Sequence, residues 1–188
     1  MSRWEPNARG RLEDAALDLY TERGFDQTTV AEIAERAGLT ERTYFRHFAD
    51  KREVLFGGQD ALIQLITTHI AEAPDSASPI DMVRGALRGV GDMLADRRAH
   101  ARRRQAVINA NPGLQERELI KLASLSAAMA EGLQRRGVAE RTAALIAETA
   151  IAVFKVAFAR WLDAGRDSDL SEVIGDSLED LKALTAGA

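Results

Sequence analysis

A chain of 188 residues with 46% apolar and 29% charged side chains can bury a sizeable core, which excludes a disordered tail. It has no cysteine, so disulfides and thiolate metal sites are ruled out, and only 5% of its residues are aromatic, so packing must rest on Ala, Leu, Val and Ile. The net charge of −4, with nine Lys/Arg against eleven Asp/Glu in the first 58 residues, speaks against non-specific coating of nucleic acid.

The apolar spacing is helical throughout. A first helix is expected from about 7 to 23, with Leu12, Ala15, Ala16, Leu19 and Tyr20 on its inner face. Gly24 ends it and Phe25 folds back beneath it. Val30, Ile33, Ala34 and Ala37 then fall at i, i+3, i+4 and i+7, one apolar stripe, with Thr29 as N-cap and a turn at Gly38. Thr40 caps a second short helix that presents Arg42, Thr43, Arg46 and His47. Two short helices joined by a glycine turn form a helix-turn-helix, the motif that lays its second helix in the DNA major groove. A helical hairpin inside an ordinary bundle is the alternative. Core hairpins, however, seldom crowd so many hydrogen-bonding side chains onto eight residues. Between 42 and 52, Arg42, Arg46, Lys51 and Arg52 face only Asp50 as an acid, so cations gather where a groove would need them.

Asp50 is expected to cap a fourth helix beginning at Lys51, with Val54, Leu55, Leu62, Leu65 and Ile66 turned inward. The stretch 72–79, EAPDSASP, reads as a linker, with Ser78 capping the next helix and Pro79 as its first residue. Further helices are expected near 79–95, 97–110, 112–136, 139–165 and 169–185. The class is therefore all-α: an N-terminal three-helix helix-turn-helix module over 1–55, and a helical ligand-binding and dimerisation body over 56–188. From Ala143 to Leu162 most of the helix circumference is apolar, and the last helix carries Leu170, Val173, Ile174, Leu178, Leu181 and Leu184 at three- and four-residue steps. These stripes suit a four-helix interface, two helices from each of two subunits, although a monomer core could absorb them. Glu148, Lys155 and Arg160 interrupt the most apolar stretch, where a bilayer span would want about 20 apolar residues. With no span and no signal peptide in sight, a cytoplasmic location is expected.

DNA contacts should divide into positioning and reading. Thr29 and Thr40 stand at helix N-termini, where hydroxyls and free N–H groups suit phosphate oxygens, and capping is their plainer role. Arg42, near the start of the reading helix, is the choice for a guanine, since its guanidinium pairs with O6 and N7. Thr43 adds a hydroxyl or methyl contact, and Arg46 is placed for bases, backbone or a pair with Asp50. Arg3, Arg9 and Arg11 around Trp4 form an arm that could enter a minor groove or stay solvated. A sensor pocket would lie within the body, walled by 82–94, 100–110, 117–130 and 145–161, with Arg102, Phe158 and Trp161 as candidate lining. The cluster Arg97, Arg98, Arg102, Arg103 and Arg104 suits an anion or a solvated face. His69 and His100 lack partners at metal spacing, so neither a metal nor a cofactor is called for. No nucleophile–base–acid set and no phosphate-cradling glycine loop can be read, so an enzyme is not expected; a helical ligand carrier would leave the reading helix without a purpose.

The run from Arg11 to Leu55 resembles the TetR family of bacterial transcriptional regulators. The marks are the Ala-rich first helix, Gly24-Phe25, Thr29, Ile33-Ala34, Ala37-Gly38, Thr43, His47-Phe48 and Lys51. The resemblance implies a homodimer, more often a repressor than an activator, that binds a palindromic operator and is released by a small molecule. It also implies that His47 and Lys51 hold the DNA backbone. Phe45 stands where the family usually has Tyr, and Tyr44 where it usually has Leu; both are counted among the DNA contacts, and although the family's tyrosine hydroxyl bond to the backbone is missing here, Phe45 is left to touch a thymine methyl or a sugar. The body is similar to a group of regulators answering to acyl-CoA-type ligands, on the opening WEPNARGRL, the Arg-rich segment before Asn111-Pro112-Gly113-Leu114, and Trp161.

Overall fold

The computed structural model describes residues 7–165 and 168–186, and they are helical, with no strand among them. Helix α1 (Ala8–Arg23) starts at Asn7, whose Oδ1 accepts from the Gly10 N–H at 3.1 Å, and ends at Gly24, whose φ of 89° suits a residue without Cβ. Helix α2 (Val30–Arg36) opens on a capping box: the Thr29 hydroxyl accepts from the Glu32 N–H, and the Glu32 carboxylate accepts from the Thr29 N–H at 2.8 Å. Gly38, at φ 66°, turns the chain into α3 (Glu41–His47), capped by Thr40 accepting from the Thr43 N–H at 3.2 Å.

A continuous fourth helix from Lys51 does not form. Asp50 instead accepts from the N–H groups of Arg52 and Glu53 and starts a single 3-10 turn, Glu53–Leu55. Val54, Leu55 and Phe56 of that segment are buried in the core of the helix-turn-helix, and Gly57-Gly58 follow before α4 (Gln59–Glu72) begins. The remaining helices are α5 (Pro79–Leu94), a 3-10 turn Ala95–Arg97, α6 (Arg98–Asn109), α7 (Pro112–Arg135), α8 (Glu140–Asp163) and α9 (Leu170–Ala186).

The chain forms two compact units. One comprises Met1–Gly58 and Ala99–Glu118, the other Gln59–Arg98 and Leu119–Ala188. Residues 99–118, which sequence patterning groups with the body, join the first unit because Val107, Ile108 and Leu114 bury in the same cluster as Leu12, Ile33, Tyr44, Phe48 and Phe56. Polar bonds reinforce that attachment. Arg104 Nε donates to the Leu55 carbonyl at 2.7 Å and its Nη1 to Glu118 at 3.2 Å, while Arg117 donates to Glu53 at 2.7 Å. In the second unit α4 packs on α5, α5 on α8 and α9, and α8 on α9. Gly91 lets α5 approach closely, since a Cβ there would stand 2.8 Å from the Ser171 backbone.

Helix α8 has the length and composition to cross a membrane, but Ala143, Ala147, Ala150, Ile151, Val153, Ala157, Trp161 and Leu162 are buried within its unit. Leu145 and Val156 remain 69% and 56% exposed, with Ala152 and Ala159 also exposed, so an apolar stripe is left on the other side.

Candidate nucleic-acid interface

The turn into α3 and the way out of it are both fastened. Tyr44 is fully buried and its hydroxyl donates to the Asp50 carbonyl at 3.2 Å; the Tyr20 hydroxyl donates to the Lys51 carbonyl at 2.7 Å. Burial pushes both phenols well above their ordinary pKa, so they stay protonated donors. Thr28, also buried, returns its hydroxyl to the Gly24 carbonyl at 2.9 Å. These bonds hold α3 at a set angle over the core.

With Tyr44 and Phe48 turned inward, the outer face of α3 carries Arg42, Phe45 and Arg46, all exposed, with Thr43 and His47 half-buried beside them. Arg42 and Arg46 make no ion pair among the described residues. The surrounding arginines are engaged: Arg9 with Glu13, Arg23 with Glu32, Arg36 with Glu22, and Arg52 with Asp50. Asp50, the acid within sequence reach of Arg46, is held by Arg52 at 2.9 Å. Four nearby arginines are thus paired with acids, whereas among the described residues the two guanidiniums on the outer face of α3 have no such partner.

Individual candidates fare differently. Thr29 and Thr40 both cap, and Thr40 lies 3.1 Å from the Thr43 hydroxyl. Lys51 turns inward: its Nζ donates to the carbonyls of Phe25 at 2.8 Å and Thr28 at 3.0 Å. Tyr44 belongs to the core, because its neighbours Phe45 and Phe48 pack against it with centroids at 5.6 and 5.3 Å. His47 buries Nε2 without a hydrogen-bond partner, and burial, then Arg46 and Arg9, lowers its pKa below the ordinary imidazole value. Arg3 and Trp4 lie outside the described residues. Arg9 donates to the Gly57 carbonyl and Arg11 to the Ala37 carbonyl, so both serve the module itself. Sequence patterning places Tyr20 on the inner face of α1 but not its hydroxyl bond to the turn, and it does not mark Thr28; both bonds need the tertiary contact to be seen.

The ligand candidates separate. Phe158 and Trp161 pack with tilted rings, 5.7 Å between centroids, in the second unit, whereas Arg102 is an exposed residue of the first. Trp161 is fully buried, with Nε1 donating to the Ser168 carbonyl at 3.0 Å. The arginine cluster is no uniform solvated face. Arg98 lies 5.8 Å from the Trp161 ring centre and donates to the carbonyls of Leu162, Ala164 and Gly165 at the end of α8. Arg103 pairs with Asp18 at 2.6 Å. A groove of about 490 Å³ lies in the first unit, lined by Tyr20, Phe25, Gln27, Arg103, Val107 and Asn111 among others. It shares only the stretch from 103 onward with the expected pocket walls. Among the described residues, no group of three or more His, Asp or Glu is placed to hold a metal ion.

Residues 12–57 match the family described as bacterial regulatory proteins, tetR family, and residues 77–186 match the MftR C-terminal domain. A candidate mycofactocin biosynthesis transcriptional regulator of Mycobacterium tuberculosis, MftR, is 27% identical over 180 residues, covering 89% of this chain and 86% of that protein. The transcriptional regulator TcmR of Streptomyces glaucescens is 35% identical over 82 residues, 44% of this chain; the match spans only 36% of that protein. Among solved structures, Thermus thermophilus FadR in complex with lauroyl-CoA aligns with a TM-score of 0.57 at 22% identity, covering 91% of each chain, a likeness of fold.

Proposed function

This chain belongs to the TetR family of bacterial transcriptional regulators, with a C-terminal domain of the MftR type, and we propose that it acts as a homodimeric repressor released by a small molecule. In this reading 1–55 read DNA, and 56–188 bind the effector and pair the subunits. The observation that carries it is the outer face of α3, where Arg42 and Arg46 have no ion pair among the described residues beside exposed Phe45, while Arg36 and Arg52 are paired with acids. Unpaired guanidiniums on a short helix suit guanine edges and phosphates. Arg42 is assigned to direct readout, and Thr29, Thr40, Thr43, Arg46 and His47 to positioning on the duplex.

The exposed stripe of Leu145, Ala152, Val156 and Ala159 on α8 supports pairing through α8 and α9, because an unpartnered apolar helix face is normally covered. Two-fold pairing would set the two reading helices at successive major grooves, about 34 Å apart, and require a palindromic site. Control then needs an effector that binds the two states unequally. Lauroyl-CoA, bound by the Thermus thermophilus neighbour, is the first compound to try, with Phe158 and Trp161 as candidate contacts. A cytoplasmic location goes with this role.

Selection of genomic DNA fragments by the purified protein, followed by sequencing, tests the reading. Enrichment of a palindrome supports it. No enrichment, even after denaturing and refolding to strip a co-purified effector, leaves the carrier reading, in which the body binds a small molecule and no DNA is recognised.

A further inference from the structure

Phe45 is 54% exposed, and among the described residues of the first unit it is the large apolar side chain left most open to water. It stands on the face that carries Arg42 and Arg46. Its ring is also held: it meets buried Tyr44 edge-to-face, at 5.6 Å and 79°, and Tyr44 is anchored in turn to the Asp50 carbonyl. A ring fixed before binding loses little side-chain freedom when it docks.

What could cover it follows from chemistry. A phenyl ring has no donor for a phosphate oxygen, and it gains nothing from the polar base edges. The apolar group on the major-groove floor is the C5-methyl of thymine. Arg42 and Phe45 are three residues apart, so they share a helix face with a rise of about 4.5 Å between them. Successive base pairs are separated by about 3.4 Å. With the helix lying along the groove, a guanidinium and a ring at that spacing reach neighbouring base pairs.

We propose that Phe45 is a specificity-determining residue that reads the C5-methyl of a thymine directly adjacent to the guanine read by Arg42. The half-site then contains G and T side by side, and the discriminating feature at the second position is a methyl group. This rests on the DNA-reading function proposed above.

The test uses the full-length protein and duplexes of the sequence enriched in the genomic selection. Each thymine of a half-site is replaced in turn by deoxyuridine, which deletes the methyl and leaves the hydrogen-bonding edge unchanged. One position, next to a guanine, should lose about four-fold in affinity per half-site, the worth of one buried methyl. Phe45→Ala should bind thymine and deoxyuridine duplexes alike, while Phe45→Leu, which keeps an apolar contact, should retain part of the difference. Cytosine and 5-methylcytosine at that position should differ by a similar factor for the wild type. Since Phe45 is half exposed, an unchanged melting temperature for Phe45→Ala is expected and removes misfolding as an explanation. Equal binding of thymine and deoxyuridine at every position, or full discrimination in Phe45→Ala, overturns the proposal while leaving the regulator reading intact. Failure to enrich any sequence removes that reading, and the inference falls with it.

Discussion

The ammonium of Lys51 lies 4.2 Å from the centre of the Phe25 ring and donates at 2.8 Å to the carbonyl of the same residue. A second bond reaches Thr28, so one cation ties the end of the helix-turn-helix to the loop after α1. The family resemblance assigns this lysine to the DNA backbone, and its three donors are largely committed to the fold. Lys51→Met should therefore lower the stability of the free protein by about 2–3 kcal/mol, from two charge-assisted bonds and a cation–π contact. Thermal or denaturant unfolding without DNA measures it. An unchanged midpoint, with a shallower salt dependence of DNA binding, would return the residue to a phosphate role.

Arg104 joins α6 to the helix-turn-helix. Its burial pushes the guanidinium pKa down, while Glu118 opposes that shift. Glu118→Gln would leave the arginine facing the Leu55 carbonyl and the Phe56 ring without its counter-charge. About a fifth of the Arg104 side chain, 22%, still reaches water, so the loss should fall at or just below the lower end for a broken buried pair, about 2–3 kcal/mol. A loss within error in urea titration would mean that the pair behaves as a surface bridge.

Arg42→Ala is expected to cost about 1–3 kcal/mol on the preferred operator and to relax one base position. Binding measured across single-base variants of the selected site decides the matter. A uniform loss on all of them would make Arg42 a phosphate contact.

His47 gives a pH dependence with a defined sign. Burial first, then Arg46 and Arg9, holds its folded-state pKa below the unfolded value. Below about pH 6.5 the unfolded chain takes up a proton that the folded chain resists, so stability falls as the pH drops through that value toward the folded pKa, and this contribution is flat above it. His47→Gln should reduce the slope of melting temperature between about pH 6.5 and 5. An identical slope in the variant would place the titration elsewhere.

Val156→Glu puts a charge on the exposed apolar stripe of α8 without touching the buried one. The expected result is a monomer with unchanged helix content, read by sedimentation, and with it the loss of tight operator binding. A dimer that survives the substitution would move the interface off this face.

Local physics made much of the fold legible from residue order alone. Caps at Thr29, Thr40 and Ser78, the turns at Gly24 and Gly38, and the stripe through Ile33, Ala34 and Ala37 depend on neighbours within about a helical turn, and each stands where the spacing put it. The exposed reading face of α3 follows from the same periodicity, since burying Tyr44 and Phe48 leaves Arg42, Phe45 and Arg46 outside. Tertiary structure alone decided which cations were still free to act. Lys51 bonds across 26 residues, Arg104 across 49 to Leu55, and Arg117 across 64 to Glu53. The same holds for the break after Asp50, where Val54, Leu55 and Phe56 leave the helical register to fill the core beside Ile108 and Leu114. A charged side chain reads alike in sequence whether it meets water, a carbonyl or an acid, and only the folded chain brings its partner within hydrogen-bonding distance.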